Sequence, residues 1–63
     1  MKKYLSDVTT DDVLVIGGRE VVLDLLDYNT DTGLVLVSGY FEDHGDDYTV
    51  QTFPDKVYNV KSK

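Results

Sequence analysis

Clusters of turn-forming residues divide this chain into short segments, and their spacing limits its fold more than any other feature. The clusters are Gly17-Gly18, residues 29–33, residues 43–47 and Pro54-Asp55. The segments between them are rich in Val, Leu, Tyr and Thr, which suit a pleated and half-buried surface. The pattern therefore predicts an all-β fold built from short extended strands.

Five strands are predicted, over residues 13–16, 19–28, 34–41, 48–53 and 57–60. The adjacent Leu25 and Leu26 break the alternation of the second strand and predict a bulge or a bend. Gly39 predicts a bulge or a close backbone approach in the third. A short helix over 19–28 is the alternative, which the Val21-Val22 pair and the lack of capping residues disfavour.

Length and composition limit the chain to one small domain. We expect residues 7–60 to form it, with an N-terminal tail over 1–6 and a C-terminal tail over 61–63. The chain has no cysteine, so disulfides and thiolate metal sites are excluded, and this composition suits a reducing cytoplasm.

No stretch of the sequence has the features of a membrane or export signal. The longest strictly apolar runs, 13–16 and 34–37, fall far short of the roughly 20 residues that cross a bilayer. Lys2 and Lys3 are not followed by the apolar segment of a signal peptide. We expect a cytoplasmic protein without membrane contact.

Three stretches carry a resemblance to a known group: DVLVIGGREV (12–21), DYNTDTGLVL (27–36) and TFPDKVYNV (52–60). In hairpin spacing and turn residues they resemble a small stand-alone SH3-like β-barrel protein of bacteriophage or bacterial type. The resemblance implies a five-stranded antiparallel barrel and, for a phage protein, residence in the host cytoplasm. Nucleic-acid-binding members usually carry basic loops and proline-peptide-binding members carry tryptophan, whereas these loops are acidic and tryptophan is absent.

Two acidic loops invite a metal-binding interpretation. Asp27, Asn29 and Asp31 alternate as calcium ligands do, but Gly33 comes one place late and a serine stands where a bidentate glutamate should close the site. Residues 43–47 offer three carboxylates but a single imidazole, where iron would require a second histidine, and they lie at a glycine-containing loop tip that does not hold ligands rigidly. We interpret both loops as solvated turns and expect no metal or cofactor.

Catalytic residues are also missing from the pattern. The chain lacks a thiol nucleophile and a phosphate-binding glycine loop, and its serines have one histidine to share as a base. A barrel of this size has a filled interior. We expect no enzymatic activity.

The distribution of charge along the chain and its aromatic content are the features that most clearly indicate function. All twelve acidic residues lie between Tyr4 and Asp55, where Arg19 is the only cation, and the lysines lie near the ends. An acidic body either keeps the protein soluble or meets a basic partner. The five tyrosines exceed what so small a core can bury, which favours contact with a protein.

The sequence thus predicts a protein-binding module whose partner presents a basic surface, or which associates with itself. The candidate apolar anchors are Tyr28, Tyr40, Phe41 and Tyr48, and the candidate steering acids are Asp31, Glu42, Asp43, Asp46 and Asp47. Two alternatives stay open: a DNA-mimic inhibitor of a host nucleic-acid enzyme, and a structural or accessory component of a virion or larger assembly. Direct nucleic-acid binding is disfavoured because only the lysine-bearing termini could meet phosphates.

Overall fold

A computed structural model describes residues 1–62 as one antiparallel sheet of six strands. The strands are β1 (Lys2–Tyr4), β2 (Asp12–Ile16), β3 (Arg19–Asn29), β4 (Leu34–Phe41), β5 (Asp47–Thr52) and β6 (Val57–Ser62), and a 3₁₀ turn covers Leu5–Asp7. Their spatial order is β1-β6-β2-β3-β4-β5, which leaves β1 and β5 as the edges. The all-β antiparallel prediction is confirmed. Within the described residues, no helix is long and apolar enough to cross a membrane.

The strand count differs from the prediction because the N-terminal residues join the sheet. β1 pairs with β6 in the region where a tail was expected over 1–6. Leu5 follows β1, donates its backbone N–H to the carbonyl of Lys56 at 2.8 Å, and is 2% exposed. Burial of this side chain ties the segment to the core. β6 continues through Ser62, beyond the predicted end at 60, and Lys63 of the predicted C-terminal tail lies outside the described residues.

The β2–β3 hairpin turns at Gly17-Gly18, one of the turns predicted from the sequence. Gly17 and Gly18 have φ angles of 59° and 80°, the left-handed region that a two-residue hairpin turn requires. The turn sets Leu14 opposite Val21, and both side chains are fully buried. A tight turn at this place therefore fixes the register of two core residues.

β3 and β4 form the longest ribbon, and its pairing shifts between Leu23 and Leu25. Asp24 is the extra residue of this bulge, which lies next to the Leu25-Leu26 pair where the sequence predicted an irregularity. Gly39 stands opposite Leu23, and a Cβ at this position would clash with the backbone carbonyl of Val22. The predicted close backbone approach at Gly39 is confirmed.

The core lies against one face of the curled sheet, here called the inner face. Its buried members come from β2, β3, β4 and β6 and from the segment after β1: Leu5, Val8, Leu14, Val21, Leu23, Val35, Val37, Tyr58 and Val60. Phe41 and Tyr48 are partly buried and pack against this cluster. The residues that alternate with the core members along each strand lie on the outer face.

Candidate binding surface

One row of directly paired residues crosses the outer face of the sheet. In the order β6, β2, β3, β4, β5 the row consists of Lys61, Val13, Val22, Tyr40 and Asp47. Directly opposed residues of an antiparallel sheet share a face, so their side chains are neighbours. The row places an aromatic ring and two valines between a lysine and an aspartate.

An open groove of about 340 Å³ runs along this row and is named here the outer-face groove. Its lining residues are Val13, Glu20, Val22, Tyr40, Glu42, Lys61 and Ser62. Val22 and Tyr40 supply its accessible apolar surface, and Tyr40 is 37% exposed, whereas Val13 is buried. Two carboxylates, Glu20 and Glu42, border the same space. The groove therefore combines apolar surface with acidic groups.

The charge in the groove is only partly balanced. Lys61 Nζ lies 2.7 Å from Glu20 Oε2 across β2. Val13, directly opposite Lys61, is only 4% exposed although it lies on the outer face. Glu42 and Asp47 form no ion pair with any residue of 1–62. The β4–β5 side of the groove therefore carries uncompensated negative charge.

A second group of predicted site residues packs around Arg19 at the β4–β5 turn. Arg19 Nε and Nη2 donate to the two carboxylate oxygens of Asp43, each at 2.9 Å, and Asp46 Oδ2 lies 4.0 Å from Nη2. The guanidinium lies 4.0 Å from the ring centroid of Phe41, which meets Tyr48 edge-on with centroids 5.5 Å apart. The hydrogen bonds from Arg19 lower the pKa of Asp43 to about 2.

The aromatic rings of this cluster and the carboxylate of Asp43 are engaged by other residues of the same chain. Phe41 and Tyr48 pack against the core, and the carboxylate of Asp43 is engaged by Arg19. Tyr40 and Phe41 are adjacent in β4, so strand alternation puts them on opposite faces of the sheet. The structure therefore does not bring these two predicted anchors into one contact surface.

Tyr28 and Asp31 lie at the far end of the β3–β4 ribbon. Tyr28 is 54% exposed, pairs with Val35, and borders a groove of about 270 Å³ beside the segment that follows β1. Asn29 Oδ1 accepts the backbone N–H of Asp31 at 2.9 Å and that of Thr32 at 3.3 Å. Such a side-chain bond stabilises the turn, which is the role that the sequence assigned to this loop.

The predicted site residues thus fall into three places, and only Tyr40, Glu42 and Asp47 meet on the outer face. Sequence reasoning missed Val13, Glu20 and Val22 beside them. A signal for the valines exists: in the adjacent apolar pairs Val13-Leu14 and Val21-Val22, one member must face away from the core. Identifying the surface they form required the register of four strands.

The two loops considered for metal ions have other interactions. Within residues 1–62, no group of three or more His, Cys, Asp or Glu side chains is placed to hold a metal ion. His44 follows Asp43, whose Oδ1 accepts the backbone N–H of His44 at 2.8 Å as well as a hydrogen bond from Arg19. The described contacts of this loop stabilise its own turn and join it to Arg19 of β3.

Comparisons with known proteins give no match to a family model, to a curated protein or to a solved structure. The structural features that bear on function are therefore the outer-face groove, the carboxylates beside it that form no ion pair within residues 1–62, and the open edges of the sheet.

Proposed function

We propose that this chain is a non-enzymatic binding module that holds a basic segment of another protein in the outer-face groove. The observation that carries the proposal is the position of Tyr40, which lies exposed beside Val22, Glu42 and Asp47. A lysine or arginine of the partner can lay its carbon stem along Val22 and Tyr40 while its cation meets the carboxylates. An arginine can also stack on the tyrosine ring.

The charge of the chain as a whole supports a basic partner. The acidic residues that form no ion pair with any residue of 1–62 are Asp7, Asp11, Asp24, Asp27, Asp31, Glu42, Asp47 and Asp55. With a formal net charge of −6, the chain attracts cationic surfaces over a distance set by the ionic strength. Association is expected to be fast at low salt and slower as salt is added.

We also propose that the curled sheet belongs to the SH3-like barrel class. Support comes from the direct pairing of β2 with β6, which joins the first and last of the five strands predicted from the sequence. The bulge in β3 supports it as well, because bulges bend the strands that curl into small barrels. A solution structure tests this: β5 and β6 are separated by three strands in the sheet order, so nuclear Overhauser contacts between the rings of Tyr48 and Tyr58 require a curled sheet. These contacts are expected, and their absence would contradict the proposal.

Differential capture tests the binding function. Wild-type protein and the E42Q/D47N variant are immobilised and exposed to the same cell lysate, and retained proteins are quantified by mass spectrometry. A D7N/D55N variant is the matched control, since it changes two exposed carboxylates outside the groove by the same charge. Thermal melts monitored by circular dichroism check that all three are folded.

The proposal predicts a basic protein that wild type and D7N/D55N retain, with at least about tenfold loss on E42Q/D47N because two charged contacts disappear. Equal retention by both variants, or no basic protein retained, would contradict it. A DNA-handling enzyme that is released by added DNA would show that the groove serves the DNA-mimic alternative. Recovery of virion or assembly proteins would favour the structural alternative.

A further inference from the structure

The two edges of the sheet differ in their protection against another strand. β1 is three residues long and carries Lys2 and Lys3, and short length and lysines both discourage edge pairing. β5 is six residues long, pairs with β4 without a register shift, and has Asp47 as its one charged residue. Within residues 1–62 no strand covers its other side. β5 is therefore a regular and unprotected edge.

The pairing with β4 fixes which backbone groups of β5 point away from the sheet. Phe41 donates its N–H to the carbonyl of Asp46 at 2.8 Å, and hydrogen-bonded and non-hydrogen-bonded pairs alternate along an antiparallel ladder. The pairs that β4 forms with Asp47, Thr49 and Gln51 are therefore the non-hydrogen-bonded ones. The N–H and C=O groups of these three exposed residues point outward and can accept another strand.

We propose that β5 pairs antiparallel with β5 of a second copy of this chain, about a two-fold axis at Thr49. In this register Asp47 lies opposite Gln51 of the partner subunit, and Tyr48 lies opposite Val50 of the partner subunit. Thr49 lies opposite its own counterpart. The contact lies on the edge of the sheet, outside the lining of the outer-face groove, and shares only Asp47 with the residues invoked for partner binding. It does not depend on the proposed function.

The residues of β5 are complementary to themselves in this register. Aromatic residues opposite β-branched ones, and threonine opposite threonine, are favourable cross-strand pairs. The side-chain amide of Gln51 can donate to the carboxylate of Asp47. In this register Asp47, Thr49 and Gln51 all form backbone hydrogen bonds with the partner strand. If the strands are shifted by two residues in either direction, only two of these three residues form such bonds within β5. A register that sets Asp47 opposite itself brings like charges together.

The two-fold register also keeps the acidic ends of the strands apart. Asp47 of one copy is offset from its counterpart by four residues, or roughly 13 Å along the strands. This separation exceeds the Debye length of about 8 Å at physiological ionic strength. The general repulsion between two chains of formal charge −6 remains, so added salt strengthens this dimer. Binding of a basic partner has the opposite salt dependence.

Sedimentation velocity over a range of protein concentrations tests the dimer. The T49P variant removes an outward N–H that β4 does not use, a position where an edge strand tolerates proline. T49A keeps this N–H and is the matched control. Circular dichroism spectra and melts check the fold of both variants.

Wild type and T49A are expected to dimerise with increasing concentration and more strongly at high salt. T49P is expected to dimerise at least about tenfold more weakly, because two backbone hydrogen bonds are lost across the two-fold axis. Wild-type protein that stays monomeric at millimolar concentration and high salt would overturn the proposal. Equal dimerisation of T49P and T49A would also overturn it.

A charge series at Gln51 tests the register and stays informative if T49P fails to fold. Q51K sets a lysine opposite Asp47 of the partner subunit and should strengthen the dimer, and Q51D sets two carboxylates together and should weaken it. T10K and T10D make the same net-charge changes at an exposed residue before β2 and should have much smaller effects. The register would be overturned if the substitutions at Thr10 changed the dimerisation constant as much as those at Gln51. It would also be overturned if Q51D strengthened the dimer and Q51K weakened it. Partner capture by T49P, whose groove is intact, tests the proposed function separately.

Discussion

Arg19 donates two hydrogen bonds of 2.9 Å to the carboxylate of Asp43, 24 residues later in the chain. The same guanidinium covers the ring of Phe41 at 4.0 Å from its centroid. The contact joins the start of β3 to the turn that leads into β5. We infer that it holds this turn, and with it the edge strand, in place.

Replacement of Asp43 by asparagine should lower the melting temperature at neutral pH, with the effect fading in acid. Arg19 lowers the pKa of Asp43 from 3.8 to about 2 in the folded chain. A carboxylate with a depressed folded-state pKa stabilises the fold above its unfolded pKa and loses this contribution as the pH falls toward the folded value. Melts of wild type and D43N between neutral pH and about pH 2 measure the difference. A difference that stays constant over the whole range would contradict this account of the pair.

Replacement of Gly39 by alanine should destabilise the protein by about 3 kcal/mol or more, because the added methyl group meets the backbone of β3. The obstacle is the carbonyl of Val22, which cannot rotate away as a side chain can. Urea denaturation gives the free energy of unfolding, and S38A, the neighbouring position in β4, is the control. A G39A variant as stable as S38A would show that the two strands do not approach so closely.

Replacement of Tyr58 by phenylalanine should remove an alkaline transition. Burial raises the pKa of Tyr58 to about 12, with neighbouring Tyr48 adding to the effect. A raised folded-state pKa means that this phenol stabilises the fold below its ordinary value of 10.0 and loses that contribution as the pH rises toward about 12. The phenolate absorbance of wild type minus that of Y58F should therefore titrate near pH 12. A difference curve centred near pH 10 would place Tyr58 in water.

Much of the strand pattern follows from local sequence. The predicted third strand has the same bounds as β4, because Gly33 ends the preceding loop and acidic turn residues follow Phe41. β1 was not predicted, since Lys2-Lys3-Tyr4 shows no apolar alternation. Its pairing depends on β6 and on the burial of Leu5, which are contacts between distant parts of the chain.

The candidate site was less predictable than the strands. Residue types and loop positions identified Tyr40, Glu42 and Asp47, but they also selected Phe41, which faces the core. Arg19 is the only cation among twelve acidic residues between Tyr4 and Asp55, and only the register shows that it engages Asp43. Alternation within β4 could have separated Tyr40 from Phe41. No local sequence pattern could have predicted that Tyr40 lies beside the valines of β2 and β3, because these contacts depend on how the strands pair.

The salt dependence of partner affinity tests the binding account most directly. Calorimetric titration of the captured basic partner into wild type and E42Q/D47N, from about 50 to about 500 mM NaCl, spans the range in which charge screening changes strongly. We predict that wild type binds more tightly than the variant at low salt, that its dissociation constant rises steeply with salt, and that the two proteins converge at high salt. Equal affinities at low salt, or a wild-type affinity that does not change with salt, would contradict the claim that the acidic outer-face groove is the binding site.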